Sequence, residues 1–325
     1  MRGKMHGMTP RTRSIVLTLL IVAMVLLPAC RAKEGPSDMV WDAYVRDHRV
    51  DADFGDYTMH YIDMGTGRPV FMVHGFADST YTWHNNVKTF VDAGYRVIAV
   101  DLPGLGQSSV PDRTWTASIE NLSDSVLLLA DRLKIDKFAV VGNSMGGGIS
   151  LYLAWTHPAR VVAAVPISPA SFPQKAPGIT KLVKIPVLGD INAQFMGAWT
   201  ARSALKQVFY DENLVTDTLI DEYSRPFTKP NYKDYLARLL RRYFSDQFVR
   251  MSESYPEVQV PVLALWGEQD RWVPVEFGER LDEQIPDSRL IRYPNCGHLA
   301  QQEVPEKVNK DVMAFFEKVG YGPKS

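Results

Sequence analysis

The apolar run Phe138-Ala-Val-Val-Gly142 passes without a break into Gly142-Asn143-Ser144-Met145-Gly146, and a helical pattern opens at Met145. A strand that turns at once into a helix forces two backbones together. Glycine at 142 and 146 removes the side chains that would collide there, and Ser144 is left exposed at the helix amino terminus. Such a G-x-S-x-G sequence between a strand and a helix is the pattern of a serine nucleophile on a tight elbow.

The rest of the chain is organised around the same alternation. Strands are expected over 57–63, 70–73, 95–100, 138–142, 161–168, 262–267 and 289–293. Helices are expected over 80–93, 118–133, 145–157, 275–285 and 305–319. Strands apolar throughout, each followed by a helix, imply an α/β fold: a mostly parallel, doubly wound sheet covered on both faces. The rhythm stops between two prolines. Residues 169–256 lack β-branched runs and carry helical patterns at 201–210, 214–223, 232–243 and 247–255, so a helical cap of 169–256 is expected to interrupt a core of 48–168 and 257–325. With 46% hydrophobic and 22% charged residues, the chain has the make-up of a globular protein and not of a disordered one.

A serine hydroxyl is a weak nucleophile and needs a base, itself oriented by an acid. Asp270 lies just past strand 262–267 and His298 just past the last strand, in Asn-Cys-Gly-His. Loops at the carboxyl edge of a parallel sheet converge on one crevice, which gives both residues the right address. Glu268, two residues from Asp270, stays open as the alternative carboxylate, whereas the loop after strand 161–168 offers none. His74-Gly75-Phe76 follows strand 70–73. The N–H groups of Phe76 and Met145 are therefore the expected oxyanion hole, donors already aimed at a tetrahedral oxygen. His74 is read as a structural residue, Cys296 as a small buried filler, and Arg238, Arg241 and Arg242 as a solvated helix face. No H-E-x-x-H sequence or paired cysteine cluster is present, so neither a metal nor an organic cofactor is expected.

At the amino terminus Arg2, Lys4, Arg11 and Arg13 precede an apolar run from Ile15 to Leu27 and then Leu27-Pro28-Ala29-Cys30. The run is shorter than the roughly 20 residues of a spanning helix, so residues 1–29 are expected to be a cleaved signal peptide. Leu-x-Ala-Cys resembles the bacterial lipobox, which implies acylation of Cys30 and a tether of 30–47 beside a membrane in the cell envelope; otherwise the chain is secreted or periplasmic. A net charge of −1 and no basic run beyond this terminus argue against nucleic acid as a partner.

With the elbow, the His-Gly-Phe loop and Asp101-Leu-Pro-Gly-Leu-Gly-Gln-Ser108, which is similar to a D-x-P-G-x-G-x-S loop, residues 50–320 resemble the α/β-hydrolase superfamily. The branch is that of capped serine esterases and lipase-like enzymes, similar to monoacylglycerol lipases and C–C hydrolases. The resemblance implies a catalytic triad of Ser144, Asp270 and His298. It also implies a small-molecule ester or lipid substrate, with short to medium acyl esters or monoacylglycerol-like lipids cleaved through an acyl-enzyme. Serine at the elbow, where dehalogenases and epoxide hydrolases of this branch carry aspartate, disfavours both. C–C hydrolysis of a ring-cleavage dienoate is the alternative, suggested by Gly-Asn-Ser-Met-Gly-Gly and Cys-Gly-His. Against it stand export and Leu299, which replaces the aromatic that usually follows the histidine. A non-catalytic binding lipoprotein is a further alternative. Phe195, Met196, Trp199, Phe209 and Tyr210 are expected either to line an apolar acyl pocket or to form the core of the cap.

Overall fold

The computed structural model of the chain describes residues 36–173, 197–243 and 247–323. Among them, β1 (Arg49–Asp53), β2 (Thr58–Met64), β3 (Arg68–Val73), β4 (Tyr95–Val100), β5 (Phe138–Asn143), β6 (Val161–Ile167), β7 (Val262–Gly267) and β8 (Ser288–Tyr293) form one sheet. Its order is β1-β2-β4-β3-β5-β6-β7-β8. β2 is antiparallel to both its neighbours, and every pairing from β4 to β8 is parallel. Val73 of β3 faces Val100 of β4 on one side and Gly142 of β5 on the other, so the carboxyl ends of the three central strands finish level. That register brings the loop after β3 and the elbow after β5 side by side.

Alternation along the strands sorts side chains into two cores, because successive residues of a strand point to opposite faces. Phe71, Val73, Ile98, Val100, Phe138 and Val140 enter one core, with α3 (Ile119–Arg132) and α4 (Met145–Thr156). Val70, Met72, Val97, Ala99, Ala139 and Val141 enter the other, with α2 (Val87–Asp92) and α9 (Pro305–Lys318). β5 and β7 are buried at every residue, which is why they read as unbroken apolar runs. Ser118 caps α3 by accepting a hydrogen bond from the Asn121 N–H at 3.3 Å.

In the cap region the described helices are α5 (Ala198–Val208), α6 (Asp217–Ser224), α7 (Tyr232–Tyr243) and α8 (Gln247–Glu253). They are fastened to the core at the Asp101–Ser108 loop. The Lys229 ammonium donates to the carbonyls of Gly106 and Ser108 at 2.9 and 2.6 Å, and the Tyr235 hydroxyl donates to that of Pro103 at 2.6 Å. Asp101 shapes the loop by accepting from the Thr80 and Gln107 N–H groups at 2.6 and 2.7 Å.

Three segments differ from expectation. Much of the stretch expected to tether is ordered: α1 (Pro36–Val45) buries Trp41 and Val45, four residues apart on one face, and Trp41 meets the Tyr81 ring edge-on. β1 escapes the sequence pattern because it is an edge strand with only Ala52 buried among charged neighbours. The helix expected over 80–93 is split into a 3-10 turn at Thr80–Trp83 and α2, with His84, Asn85 and Asn86 between them. Residues 1–35, which hold the expected signal peptide and Cys30, lie outside the described residues, as do Phe195 and Met196. Among the described residues no helix is long and apolar enough to cross a membrane.

Candidate active site

Ser144 sits at the end of β5 with φ 54° and ψ −112°, a backbone conformation that costs a non-glycine residue about 1–3 kcal/mol. The elbow is as tight as the sequence implies. A Cβ on Gly142 would lie 2.1 Å from the Gly146 carbonyl oxygen, and one on Gly146 would lie 2.1 Å from that of Val73. Hydrogen bonds hold the strained turn in place: the Ser144 N–H donates to the Ile167 carbonyl, and the Ala170 N–H to that of Ser144, both at 2.9 Å. Ala77 and Ser168, just past β3 and β6, also have positive φ. Strain is thus collected at the carboxyl edge of the central strands, around the serine.

The acid and base lie on the adjoining loops. Asp270 Oδ2 is 2.7 Å from His298 Nδ1, with the two side chains 0% and 3% exposed. A carboxylate accepts only, so Nδ1 carries the proton of the neutral ring and Nε2 is left as the acceptor. The other carboxylate oxygen of Asp270 takes the Trp272 and Val273 N–H groups at 2.8 and 2.9 Å, which fixes the aspartate in its turn. Glu268 has its carboxylate 3.5 Å from Arg292, and of the two carboxylates it is that of Asp270 that hydrogen-bonds the imidazole.

Ser144 and His298 are joined by the neighbouring side chain. The buried Asn143 amide donates to the carbonyls of His298 at 3.0 Å and Ile167 at 3.2 Å. Within the described residues no direct hydrogen bond links Ser144 Oγ to His298. Such contacts are often long without substrate and tighten in the reacting complex.

On the other side of Ser144 runs the loop after β3. A Cβ on Gly75 would lie 3.3 Å from the Ser144 Cβ. Phe76 follows, partly buried, and its N–H makes no hydrogen bond among the described residues. Met145 begins α4, buried, with its amide at the helix amino terminus. His74 is a strut: its Nε2 accepts from the Leu102 N–H at 3.0 Å while Nδ1 donates to the Gly75 carbonyl at 2.7 Å. Burial pushes its pKa down and keeps the ring neutral.

The remaining candidates divide. Cys296 is buried, and desolvation raises its thiol pKa far above the usual range, as suits a filler and not a nucleophile. Arg238 pairs with Asp234 and lies over the Tyr235 ring. Phe209 is buried in the core, whereas Trp199 is 77% and Tyr210 41% exposed, so these three cap aromatics do not form one apolar wall. Trp272, whose ring centre is 5.9 Å from that of His298, has no signal in the motif, because its nearness depends on the Asp270 turn.

A strained serine elbow flanked by a buried Asp–His pair and an amide-bearing loop, on a sheet of this order, defines a class of enzyme. The model of the alpha/beta hydrolase fold family matches residues 68–305, and the chain belongs to that family. It is 30% identical over 262 residues to the uncharacterized hydrolase YugF of Bacillus subtilis, covering 80% of this chain and 94% of that protein. It is 31% identical over 277 residues to a 2-hydroxy-6-oxo-6-phenylhexa-2,4-dienoate hydrolase of Comamonas testosteroni, covering 82% and 93%. Among solved structures, a meta-cleavage product hydrolase from Pseudomonas fluorescens IP01 superposes with a TM-score of 0.68 at 25% identity, covering 81% of this chain and 95% of that one.

Proposed function

We propose that this chain is a serine hydrolase acting at a carbonyl carbon through an acyl-enzyme on Ser144. The 2.7 Å contact between Asp270 and His298, wholly buried beside the strained serine, carries this reading. His298 takes the Ser144 proton as Oγ attacks, and Asp270 holds the imidazole and stabilises its charged form. The Phe76 and Met145 N–H groups receive the developing oxyanion. His298 then hands its proton to the leaving group, and water cleaves the acyl-enzyme by the same steps in reverse.

Two bonds suit this machinery, and they differ in the leaving group. In a dienoate the group that leaves is a carbon, so the conjugated oxo acid must absorb its electron pair before the carbon is protonated. In an ester it is an alcohol oxygen. We put C–C hydrolysis of a ring-cleavage dienoate first, ahead of the ester cleavage expected from the sequence. Its support is the likeness to the Comamonas testosteroni dienoate hydrolase, which spans 82% of this chain and 93% of that protein. The structure also softens one objection, because Trp272 supplies an aromatic ring beside the imidazole although Leu299 follows it in sequence. Ester hydrolysis is the second reading, favoured by the amino-terminal features that point to export.

The deciding experiment gives the purified chain both substrates: a 2-hydroxy-6-oxodienoate, followed by loss of its chromophore, and p-nitrophenyl esters from acetate to palmitate. Ser144→Ala is the control. A higher kcat/KM on the dienoate supports the first reading, and turnover of esters alone supports the second. A folded protein inactive on both sinks the serine-hydrolase proposal.

We also propose export and anchoring through an acylated Cys30, on the strength of the charged start, the apolar run and Leu-x-Ala-Cys. Labelled palmitate should enter the full chain in cells. A Cys30→Ser chain that still takes up label equally would contradict the anchor.

A further inference from the structure

The loop carrying His298 is tied to the cap as closely as to the sheet. The His298 N–H donates to the carbonyl of Val208, the last residue of α5, at 2.7 Å. The preceding amide, Gly297 N–H, donates to Glu303 Oε1 at 2.7 Å. The other oxygen of the same carboxylate accepts from the Tyr210 N–H at 2.8 Å and the Asp211 N–H at 3.4 Å. Gly297 itself lies against the cap backbone: a Cβ there would stand 2.4 Å from the Val208 carbonyl oxygen and 2.8 Å from the Tyr210 nitrogen. One carboxylate therefore binds the amide just before the base and the two amides by which the chain leaves α5.

A single side chain can serve both partners only because an ionised carboxylate offers two acceptor oxygens and no donor. A carboxamide offers one acceptor, and its NH2 would face N–H groups on the other side. We infer that Glu303 is a positioning residue, which seats the His298 loop against the cap segment 208–211 and so sets where the imidazole stands over Ser144. The inference rests on the serine-hydrolase reading of His298. A small displacement of a base costs rate out of proportion to its energy, since a 1 Å error in a reacting geometry costs on the order of 10²-fold.

The test compares the full chain with Glu303→Gln, Glu303→Asp and Glu303→Ala. The readouts are kcat and KM on whichever substrate turns over, and the rate at which a fluorophosphonate probe labels Ser144. Labelling needs the base but is indifferent to which bond the enzyme cleaves. Glu303→Gln is expected to lower kcat and the labelling rate about tenfold with KM within about twofold of wild type, Glu303→Ala to lower them on the order of 10²-fold, and Glu303→Asp to fall between. Folded Gln and Ala variants that label and turn over like wild type overturn the inference, and so does a loss confined to KM. If the Ala variant fails to fold, the isosteric Gln variant decides. A wild-type chain that the probe never labels removes the serine-hydrolase reading first, and this one falls with it.

Discussion

The Asn143 side-chain amide donates a 3.0 Å hydrogen bond to the His298 carbonyl, joining the elbow to a loop 155 residues further along the chain. A second bond from the same nitrogen reaches the Ile167 carbonyl at 3.2 Å. Asn143 thereby couples three strand ends, those of β5, β6 and β8, and does so from a buried position. Asn143→Asp keeps the shape but sets a carboxylate oxygen against two carbonyl oxygens. It should destabilise the fold by about 2–4 kcal/mol, read from the urea midpoint, with a fall in kcat beyond what the unfolded fraction explains. An unchanged midpoint would show that the bridge is dispensable.

Asp270 and Glu268 are two residues apart, yet only Asp270 reaches the imidazole. Asp270→Asn is expected to lower kcat on the order of 10⁴-fold by favouring the wrong tautomer of His298, a magnitude set by the general behaviour of such triads. Glu268→Gln should stay within about twofold of wild type, since it loses only a half-exposed pair with Arg292. Steady-state kinetics on both variants distinguish the two carboxylates, and equal losses would refute the assignment.

The elbow tolerates no side chain at 142. Gly142→Ala must push a methyl group into the Gly146 carbonyl, so a loss of about 3 kcal/mol or more is expected. Gly55 has a positive φ of 83° but open space around its Cβ position, and Gly55→Ala should cost only about 1 kcal/mol. Chemical denaturation of the two variants measures the difference between collision and backbone strain.

Asp78, directly after the Phe76 loop, is buried among the Ser79 N–H, the Thr82 hydroxyl and the Tyr223 phenol of the cap. Burial pushes its carboxyl pKa up to about 7 from the ordinary 3.8; the three hydrogen bonds oppose the rise and nearby Asp101 adds to it. Between those values the folded chain holds a proton that the unfolded chain has released. The stabilisation from Asp78 is therefore complete below pH 3.8, declines as pH rises, and is gone above about 7. Asp78→Asn should flatten this decline and raise Tm relative to wild type most at pH 8. A wild-type Tm profile that the substitution leaves parallel from pH 4 to 9 would rule the effect out.

Local pattern in the chain determined seven of the eight described strands, the elbow, and the placement of Asp270 and His298 just past strand ends. Strand and helix periods, glycines at a forced approach and residues just past strand ends are all properties of short segments, and each leaves its mark within about ten residues. Trp41 and Val45 left a helical mark as well, four residues apart, on a stretch expected to be a tether. The choices between equals were made by tertiary structure. Glu268 and Asp270 are the same chemistry in the same loop, and only the fold pairs one with Arg292 of β8 and the other with His298. Nothing in the sequence sets Glu303 apart from the other acids; its two oxygens acquire their partners only when the end of α5 is folded against Gly297. The same holds for Asn143 and His298, because a hydrogen bond between distant segments depends on where two loops stop in space, and no local propensity encodes that.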